Sequence, residues 1–256
     1  MTEKPPKPLL LNCDMGESLG PWRMGQDEEA MPLVDMANIA CGFHASDPVT
    51  MTRTVLLAKQ AGARIGAHPS YPDLVGFGRR SMACSPLEIV SLVHYQIGAL
   101  DAICRAQGLT LSYVKPHGAL YNDMMRDHSI FRALLEAVAD YRSDLPVMVL
   151  ARPDTRELET IAREFGVSLL FEAFADRAYD PDGSLVPRDR EGAVHRDPER
   201  ILAQALRLAE RGEILSREAT PLRLKADSLC VHGDNPESVP VLRRLRRALE
   251  QLYGNR

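Results

Sequence analysis

Four short apolar runs in this chain each end in a histidine, within a loop rich in glycine and proline. The histidines are His44, His68, His117 and His232, in the strings ANIACGFH, ARIGAH, LSYVKPH and DSLCVH. A fifth run, LLLNCD, ends in Asp14, and Glu17 follows in the turn. Parallel barrels present titratable side chains of this kind at the carboxyl ends of successive strands, on their catalytic face. The pattern therefore predicts an enzyme built on a parallel barrel.

Strands and helices alternate along the chain. Short apolar runs bounded by turn residues suit parallel strands that are covered on both faces. Seven such runs occur, at Leu9–Cys13, Ala37–Cys41, Arg64–Ala67, Leu111–Val114, Val147–Leu150, Ser168–Phe171 and Leu229–Val231. With right-handed crossovers, they predict an α/β fold, a TIM-like (β/α)7 barrel that forms one domain over residues 1–256.

Capping residues mark the helices between these strands. Asp47-Pro48 opens a helix that Gly62 closes, because aspartate caps a first turn and proline suits its first position. Ser85 and Glu88 form a capping box for the next helix, which Gly108 closes. A shorter connection is predicted around Asp27–Asp35, and further helices at His128–Arg142, Thr155–Gly166, Pro198–Leu215 and Asn235–Gly254. The long irregular stretch Phe174–His195 is predicted to be a lid or a binding loop.

The composition argues against several classes of protein. Of the residues, 45% are hydrophobic and 26% are charged, as in ordinary globular proteins. A formal net charge of -4 gives no basic footprint for nucleic acid. The apolar runs look shorter than the ~18 residues of a membrane span. The N-terminus lacks the pattern of a signal peptide, and the five cysteines include no CxxC pair. We therefore expect a cytoplasmic protein with buried thiols.

The end of the first predicted strand carries acidic and amide side chains. Asn12 and Asp14 are two residues apart, so they project to the same side of the strand, and Glu17 follows. An acid at a barrel mouth can act as a general base or a metal ligand. The simpler alternative is that Asp14 and Glu17 only stabilise a turn.

Lys115 and His117 flank a proline at the end of another buried strand. Lysine is rarely buried without a partner. A cation here can stabilise an oxyanion or a phosphoryl group, and histidine can move protons near neutral pH. Tyr121 can add a hydrogen bond. The alternative is that Lys115 simply pairs with an acid on a neighbouring strand.

His44 and His68 close two further strands in loops rich in small residues. Three histidines and an aspartate would suit zinc. The HExxH pair and other short-range ligand spacings are absent, however, so the pattern leaves the presence of a metal open. A structural hydrogen-bonding role is the alternative for each histidine.

Basic and polar groups near the strand ends can bind an anionic substrate. Arg79 and Arg80 follow a flexible GFG turn, and arginine suits carboxylate or phosphate, although the two can also form a solvated surface pair. The other candidates are Asp176 and Arg177 in the long loop and His232 and Asp234 after the last strand. The GxxxxGK[ST] and GxSxG motifs are absent, so hydrolysis would depend on an acid, histidines and a lysine.

Seven strings along the chain resemble the LamB/YcsF family. They are NCDMGES, ANIACGFHASDP, IGAHPSYPDLVGFGRR, YQIGAL, VKPHGALYN, FADRAYDPDGSLVPR and VHGDNP. Two positions depart from the family pattern: Ser46 stands where glycine is usual, and Leu10 stands where an acidic residue is usual. Neither change removes a candidate catalytic group.

The resemblance implies a barrel of the glycoside hydrolase/deacetylase type. It also implies the role of the A subunit in an ATP-dependent 5-oxoprolinase, with partner subunits B and C. Such an enzyme opens 5-oxoproline (pyroglutamate) to L-glutamate. On this hypothesis Asp14 activates water, Lys115 stabilises the developing charge and His117 protonates the departing nitrogen. Arg79 or Arg80 holds the substrate carboxylate. His44 and His68 complete the expected catalytic group, and substrate contacts are expected from Asn12, Glu17, Tyr121, Asp176, Arg177, His232 and Asp234.

Two other functions fit the same residues. One is a metal-dependent deacetylase or amidohydrolase that uses Asp14, His44 and His68. The other is a scaffold without catalytic activity, whose barrel mouth binds a partner protein of the complex. Metal content separates the first from an oxoprolinase, and the behaviour of variants in the assembled complex separates the second.

Overall fold

Seven parallel strands close into a barrel in the computed structural model, which describes residues 8–231 and 238–254. The strands are β1 (Leu10–Met15), β2 (Met36–Ala40), β3 (Arg64–His68), β4 (Tyr113–Val114), β5 (Val147–Leu150), β6 (Leu169–Phe174) and, after the hairpin strands β7 (Glu213–Leu215) and β8 (Pro221–Arg223), β9 (Ser228–Cys230). Each of the strands β1 to β5 pairs with the next strand in the chain, and β9 closes the barrel between β6 and β1. The predicted (β/α)7 barrel is confirmed.

Helices surround the barrel. They are α1 (Asp27–Ala30), followed by a 3-10 turn at Met31–Leu33, then α2 (Pro48–Ala61), α3 (Pro86–Ala106), α4 (Gly118–Met124), α5 (His128–Arg142), α6 (Arg156–Glu164), α7 (Pro198–Arg211) and α8 (Ser238–Tyr253). Asp47 caps α2, with Gly62 in the left-handed region at its end, and Ser85 and Glu88 form the capping box of α3. The predicted start of the last helix, at Asn235 and Pro236, lies outside the described residues.

Two elements differ from the prediction. The helix predicted over Pro198–Leu215 ends at Arg211, because Gly212 adopts a φ of 65° and turns the chain into β7. The prediction ran too far because the apolar pattern continues through Ile214, which is buried in the β7–β8 hairpin rather than on the helix. The short helix α4 occupies a stretch that reads as a loop in the sequence.

The helix α3 is long and apolar enough to cross a membrane, by length and composition alone. The predicted absence of an apolar run long enough for a membrane span is therefore wrong for this segment. In this fold one face of α3 is buried, and that face includes Gln96, whose amide binds both the backbone N–H and the carbonyl of Ser70 in the loop after β3. The length and the apolar face are those of a helix that packs against a core.

Side chains alternate between two compartments along each barrel strand, because successive residues of a strand point to opposite faces. Leu11 and Cys13 of β1 belong to the large apolar core between strands and helices. Asn12 and Asp14 point into the barrel. The bottom of the barrel interior is apolar and is formed by Met36, Tyr113 and Met148 with Leu10 and Leu170. Above this layer the interior is polar.

The long segment after β6 folds back on itself. Isolated bridges join Arg177 to Val194 and Tyr179 to Leu185, and the tip of the segment reaches the carboxyl ends of the barrel strands. It is therefore ordered into a wall over the barrel mouth, in the position predicted for a binding loop.

Candidate active site

A cavity of about 380 Å³ opens at the carboxyl ends of the strands. This is the face where parallel barrels place their catalytic groups. Its floor is formed from the ends of β1, β3, β4 and β6, and its outer wall from the long segment after β6. The lining includes Asp14, His68, Arg79, Lys115, His117, Tyr121, Arg126, Phe174, Arg177, Leu185 and Arg188.

A buried lysine lies at the floor between two carboxylates. The Nζ atom of Lys115 is 3.1 Å from Oδ1 of Asp14 and 3.0 Å from Oε2 of Glu172. It also donates to Oδ1 of Asn12 at 3.2 Å. Burial alone would lower the pKa of Lys115, but the surrounding negative charge, above all that of Asp14, holds this pKa well above its usual range. Lys115 therefore stays protonated.

Amide side chains hold this charge cluster in place from below. Asn38 donates to Oδ1 of Asn12 and to Oδ1 of Asp14, both at 2.8 Å. The hydroxyl of Tyr113 donates to Asn38 at 2.6 Å. Because each of these donors is buried, the network has little freedom to rearrange. It fixes the carboxylate of Asp14 at the cavity floor.

Three histidines and a glutamate meet beside this cluster. Nε2 of His44 is 3.2 Å from Oε1 of Glu17, and Nδ1 of His117 is 3.6 Å from the same oxygen. Nδ1 of His117 is 2.9 Å from Nε2 of His68. Nε2 of His68 is also 3.4 Å from Oδ2 of Asp14, so the two clusters touch at this point. One atom from each of Glu17, His44, His68 and His117 lies within 4.8 Å of all the others.

Backbone carbonyls fix the orientation of two of these rings. Nδ1 of His68 is 2.6 Å from the carbonyl oxygen of Lys115, and Nε2 of His117 is 2.9 Å from that of Phe77. His44 stacks on His117 with ring centroids 3.7 Å apart. Burial lowers the pKa of His44 and of His117 well below the usual range, so both rings are neutral at pH 7.

Two glycines allow a loop to press against the histidines. A side-chain carbon on Gly78 would lie 2.8 Å from Cβ of His44 and 2.9 Å from Cδ2 of His117, and one on Gly118 would lie 2.4 Å from the carbonyl oxygen of Gly78. Both glycines also have positive φ values, of 63° and 55°. These contacts explain the glycines of the GFGRR and KPHG strings, and they bring Arg79 to the cavity.

The profile of the LamB/YcsF family matches residues 9–254. The chain belongs to the LamB/YcsF family.

Named relatives are similar over nearly their whole length. A Pseudomonas aeruginosa protein, named as the third A subunit of 5-oxoprolinase, is 63% identical over 245 residues, covering 95% of this chain and 97% of the relative. A Pseudomonas putida protein, named as the second such A subunit, is 60% identical over 244 residues, covering 95% of each chain. The resemblance noted in the sequence is confirmed.

Solved structures give the same result. A lactam utilization protein from Thermus thermophilus matches with a TM-score of 0.88 and 45% identity, covering 95% of this chain and 96% of that one. A putative cellobiose-phosphate cleavage protein from Enterococcus faecalis matches with a TM-score of 0.57, covering 96% and 95% of the two chains; at 12% identity it shows the fold alone.

Several residues singled out in the sequence meet at the cavity of this LamB/YcsF protein. Asp14, His68, Lys115, His117, Tyr121, Arg79 and Arg177 line it. Asn12, Glu17 and His44 are buried beside or beneath these residues, where they hold other side chains. Asp176 is buried, and its backbone carbonyl accepts from the N–H of His195. His232 and Asp234 lie outside the described residues.

The two arginines of the GFGRR string have different environments. Arg79 lines the cavity, and its guanidinium carbon lies 4.9 Å from the centroid of the Phe77 ring. Arg80 turns away and pairs with the carboxylate of Asp73, seven residues earlier. The expectation that Arg80 contacts substrate is therefore corrected, because its guanidinium serves the turn that presents Arg79.

The metal-binding set also differs from the one suggested by the sequence. That set combined Asp14 with His44 and His68. In the structure Nε2 of His44 faces Glu17, and the atoms that converge belong to Glu17 and the three histidines. Asp14 instead pairs with Lys115.

Four residues of the site were not predicted from the sequence. Glu172 follows directly after the predicted sixth strand, which in fact continues to Phe174. Its signal was an isolated acid within the apolar string LLFEAF. Asn38 was a similar polar interruption within ANIA. Arg126 and Arg188 line the cavity from the turn after α4 and from the long segment, and no local pattern marks them.

Proposed function

We propose that this protein is the A subunit of an ATP-dependent 5-oxoprolinase and that it opens the lactam ring of 5-oxoproline to give L-glutamate. Relatives with this subunit name are similar over nearly their whole length. The observation that carries the proposal is the cavity, where an acid, a buried cation and four arginines converge. The proposal includes partner subunits B and C, a cytoplasmic location and a single domain over residues 1–256.

The reaction requires activation because a five-membered lactam is a stable amide. Transfer of the γ-phosphoryl group of ATP to the carbonyl oxygen releases ADP and makes the ring carbon electrophilic. Water then adds to this carbon, and the ring C–N bond breaks when the nitrogen takes a proton. A second water hydrolyses the resulting acyl phosphate to glutamate and phosphate. The site must therefore remove a proton from water and deliver one to nitrogen.

Asp14 is suited to both proton transfers. Its carboxylate lies at the cavity floor, beside the Lys115 cation and in contact with His68. It takes a proton from the attacking water and passes it to the ring nitrogen on the same face. The sequence analysis predicted that His117 delivers the proton. We assign proton delivery to Asp14 instead, because both ring nitrogens of His117 already contact protein atoms.

Lys115 and Tyr121 act on the substrate oxygen. The charge of Lys115 is held at the floor by its carboxylate partners, so it stabilises negative charge that develops nearby. Burial, followed by the charge of Glu172, raises the pKa of Tyr121 well above its usual range. The hydroxyl of Tyr121 therefore stays protonated and can donate a hydrogen bond.

The arginines of the wall suit a substrate with two anionic groups. Arg79, Arg126, Arg177 and Arg188 all line the cavity. Arg177 is anchored by the carbonyls of Val186 and Ala193, and burial lowers its pKa to about 10, so it keeps its charge at neutral pH. Arginine binds both carboxylate and phosphate through its fork of N–H donors. The α-carboxylate and the phosphoryl group of the activated lactam are such anions.

The test is glutamate release from 5-oxoproline and ATP, measured with the chain alone and then with subunits B and C. In the full mixture, we expect Asp14→Asn to lower the rate by roughly 10²-fold or more, as for loss of a general base. The matched control, Asp140→Asn, changes an exposed residue of α5 and should leave the rate unaltered. A rate for Asp14→Asn within a factor of about 3 of the parent would support the scaffold function instead. Absence of glutamate from the full mixture would refute the proposed reaction.

A further inference from the structure

The four converging side chains beside Asp14 come from four consecutive turns of the barrel. Glu17 follows β1, His44 follows β2, His68 ends β3 and His117 follows β4. All four are buried, with 1–7% of their surface exposed. Polar groups are brought together out of water in this way only when something compensates the loss of hydration.

The spacing of the donor atoms suits a single metal ion. Tetrahedral zinc binds imidazole nitrogen and carboxylate oxygen at about 2.0–2.1 Å, which places neighbouring donor atoms about 3.4 Å apart. The three distances between Glu17 and His44, Glu17 and His117, and His68 and His117 are 3.2, 3.6 and 2.9 Å. These three lie around the tetrahedral value, and all four donor atoms lie within 4.8 Å of one another.

Hydrogen bonds to the backbone determine which ring nitrogens carry lone pairs. A carbonyl oxygen only accepts, so Nδ1 of His68 and Nε2 of His117 carry the hydrogen atoms that they donate to these carbonyls. The opposite nitrogens, Nε2 of His68 and Nδ1 of His117, then direct lone pairs at each other across 2.9 Å. Two lone pairs at this distance need a cation between them.

A shared proton would satisfy that pair of nitrogens, and His44 and Glu17 contact each other at 3.2 Å. One metal ion would serve all four groups together, because their donor atoms lie within 4.8 Å of one another. Histidine ligands of metals commonly donate their second N–H to a backbone carbonyl, as His68 and His117 do here. Imidazole nitrogen with one carboxylate oxygen is a donor set for zinc and similar transition metals.

We propose that Glu17, His44, His68 and His117 form a tetrahedral site for one divalent transition-metal ion of the zinc type. The four protein ligands complete the coordination, as in metal sites that stabilise a fold. The ion ties together the loops after β1, β2, β3 and β4, beside Asp14. The site does not depend on the proposed reaction.

The experiment uses the full chain, stripped with a chelator and then given zinc. We expect about one zinc ion per chain by elemental mass spectrometry after removal of free metal. We also expect the unfolding temperature to rise by roughly 5–10 °C once free zinc exceeds its dissociation constant about a hundredfold. Cobalt(II) should give the intense visible absorption of four-coordinate cobalt.

Two variants and a control test the assignment of ligands. Glu17→Gln and His44→Gln should each lose most of the bound zinc and of the rise in unfolding temperature. His128→Gln, at the start of α5 and outside the cluster, should retain both. Unfolding of each variant in chelator, compared with the stripped parent, shows whether it folds. Zinc that binds neither the parent nor the control, or that binds both ligand variants as tightly as the parent, would overturn the proposal.

Discussion

Replacing Lys115 by methionine tests the buried charge cluster directly. Methionine has a similar length but no charge, so Lys115→Met leaves the carboxylates of Asp14 and Glu172 facing each other without their shared cation. Each now lies about 3 Å from the lysine nitrogen, at 3.1 and 3.0 Å, and the exposed fraction of their side chains is 8% and 0%. Removing one partner from a buried ion pair typically costs about 3–5 kcal/mol. We expect a loss of this size in the free energy of unfolding at pH 7.

The loss should depend on pH with a definite sign. Carboxyl groups of the unfolded chain titrate near pH ~4 and are ionised at pH 7. The folded variant gains by binding a proton between its two buried carboxylates, so it holds more protons than the unfolded chain. Stability of such a protein rises as the pH falls. The deficit of Lys115→Met relative to the parent should therefore shrink between pH 7 and pH 5.

Urea unfolding at pH 7 and pH 5 measures both effects. Lys225→Met, at an exposed lysine, is the control and should change stability by no more than about 0.5 kcal/mol. Adding Glu172→Gln to Lys115→Met removes one of the two facing charges and should recover part of the loss. A deficit under about 1 kcal/mol at pH 7, or one that grows at pH 5, would refute the reasoning.

Three further changes test the backbone and the caps. Ser46 has a φ of 78°, a backbone conformation that favours glycine. Ser46→Gly should therefore raise the free energy of unfolding in urea by about 1 kcal/mol, and a decrease in that free energy would contradict the strain argument. Asp47 accepts four hydrogen bonds at the start of α2, which lower its pKa to about 2. Because this pKa is depressed, Asp47→Asn should be less stable than the parent above pH ~4, with a gap that narrows toward pH 2 in unfolding titrations. A side-chain carbon on Gly66 would lie 2.1 Å from the ring of Tyr113, so Gly66→Ala should lower the free energy of unfolding by about 3 kcal/mol. The control, Gly98→Ala in α3, has open space around it and should leave the free energy of unfolding unchanged. Equal thermal stability of these two variants would refute the clash.

The strands could be predicted from the sequence because each is a short apolar run with turn residues at both ends. The period of two also placed Asn12 and Asp14 on the same side of β1, facing the barrel interior. What the local pattern could not supply was the partner of each group. The pairing of Lys115 with Glu172 joins residues on β6 and after β4, and only barrel closure brings them together.

The two arginines show the same limit at short range. Arg79 and Arg80 are adjacent and chemically identical, so no pattern separates them. Their different roles arise from a turn in which the carboxylate of Asp73 receives Arg80. The four donors near Glu17 could likewise be named one by one, but their convergence depends on the order of strands around the barrel.

The alternation of side chains along β1 makes the strand register and the site inseparable. A slip of β1 by one residue in register would move Asn12 and Asp14 into the apolar layer and bring Leu11 and Cys13 into the barrel. A register shift of this kind is strongly disfavoured, since it would place charged groups among the helices and leave Lys115 without its counter-ion. Closure of the barrel in this register therefore also fixes the position of Asp14 in the site.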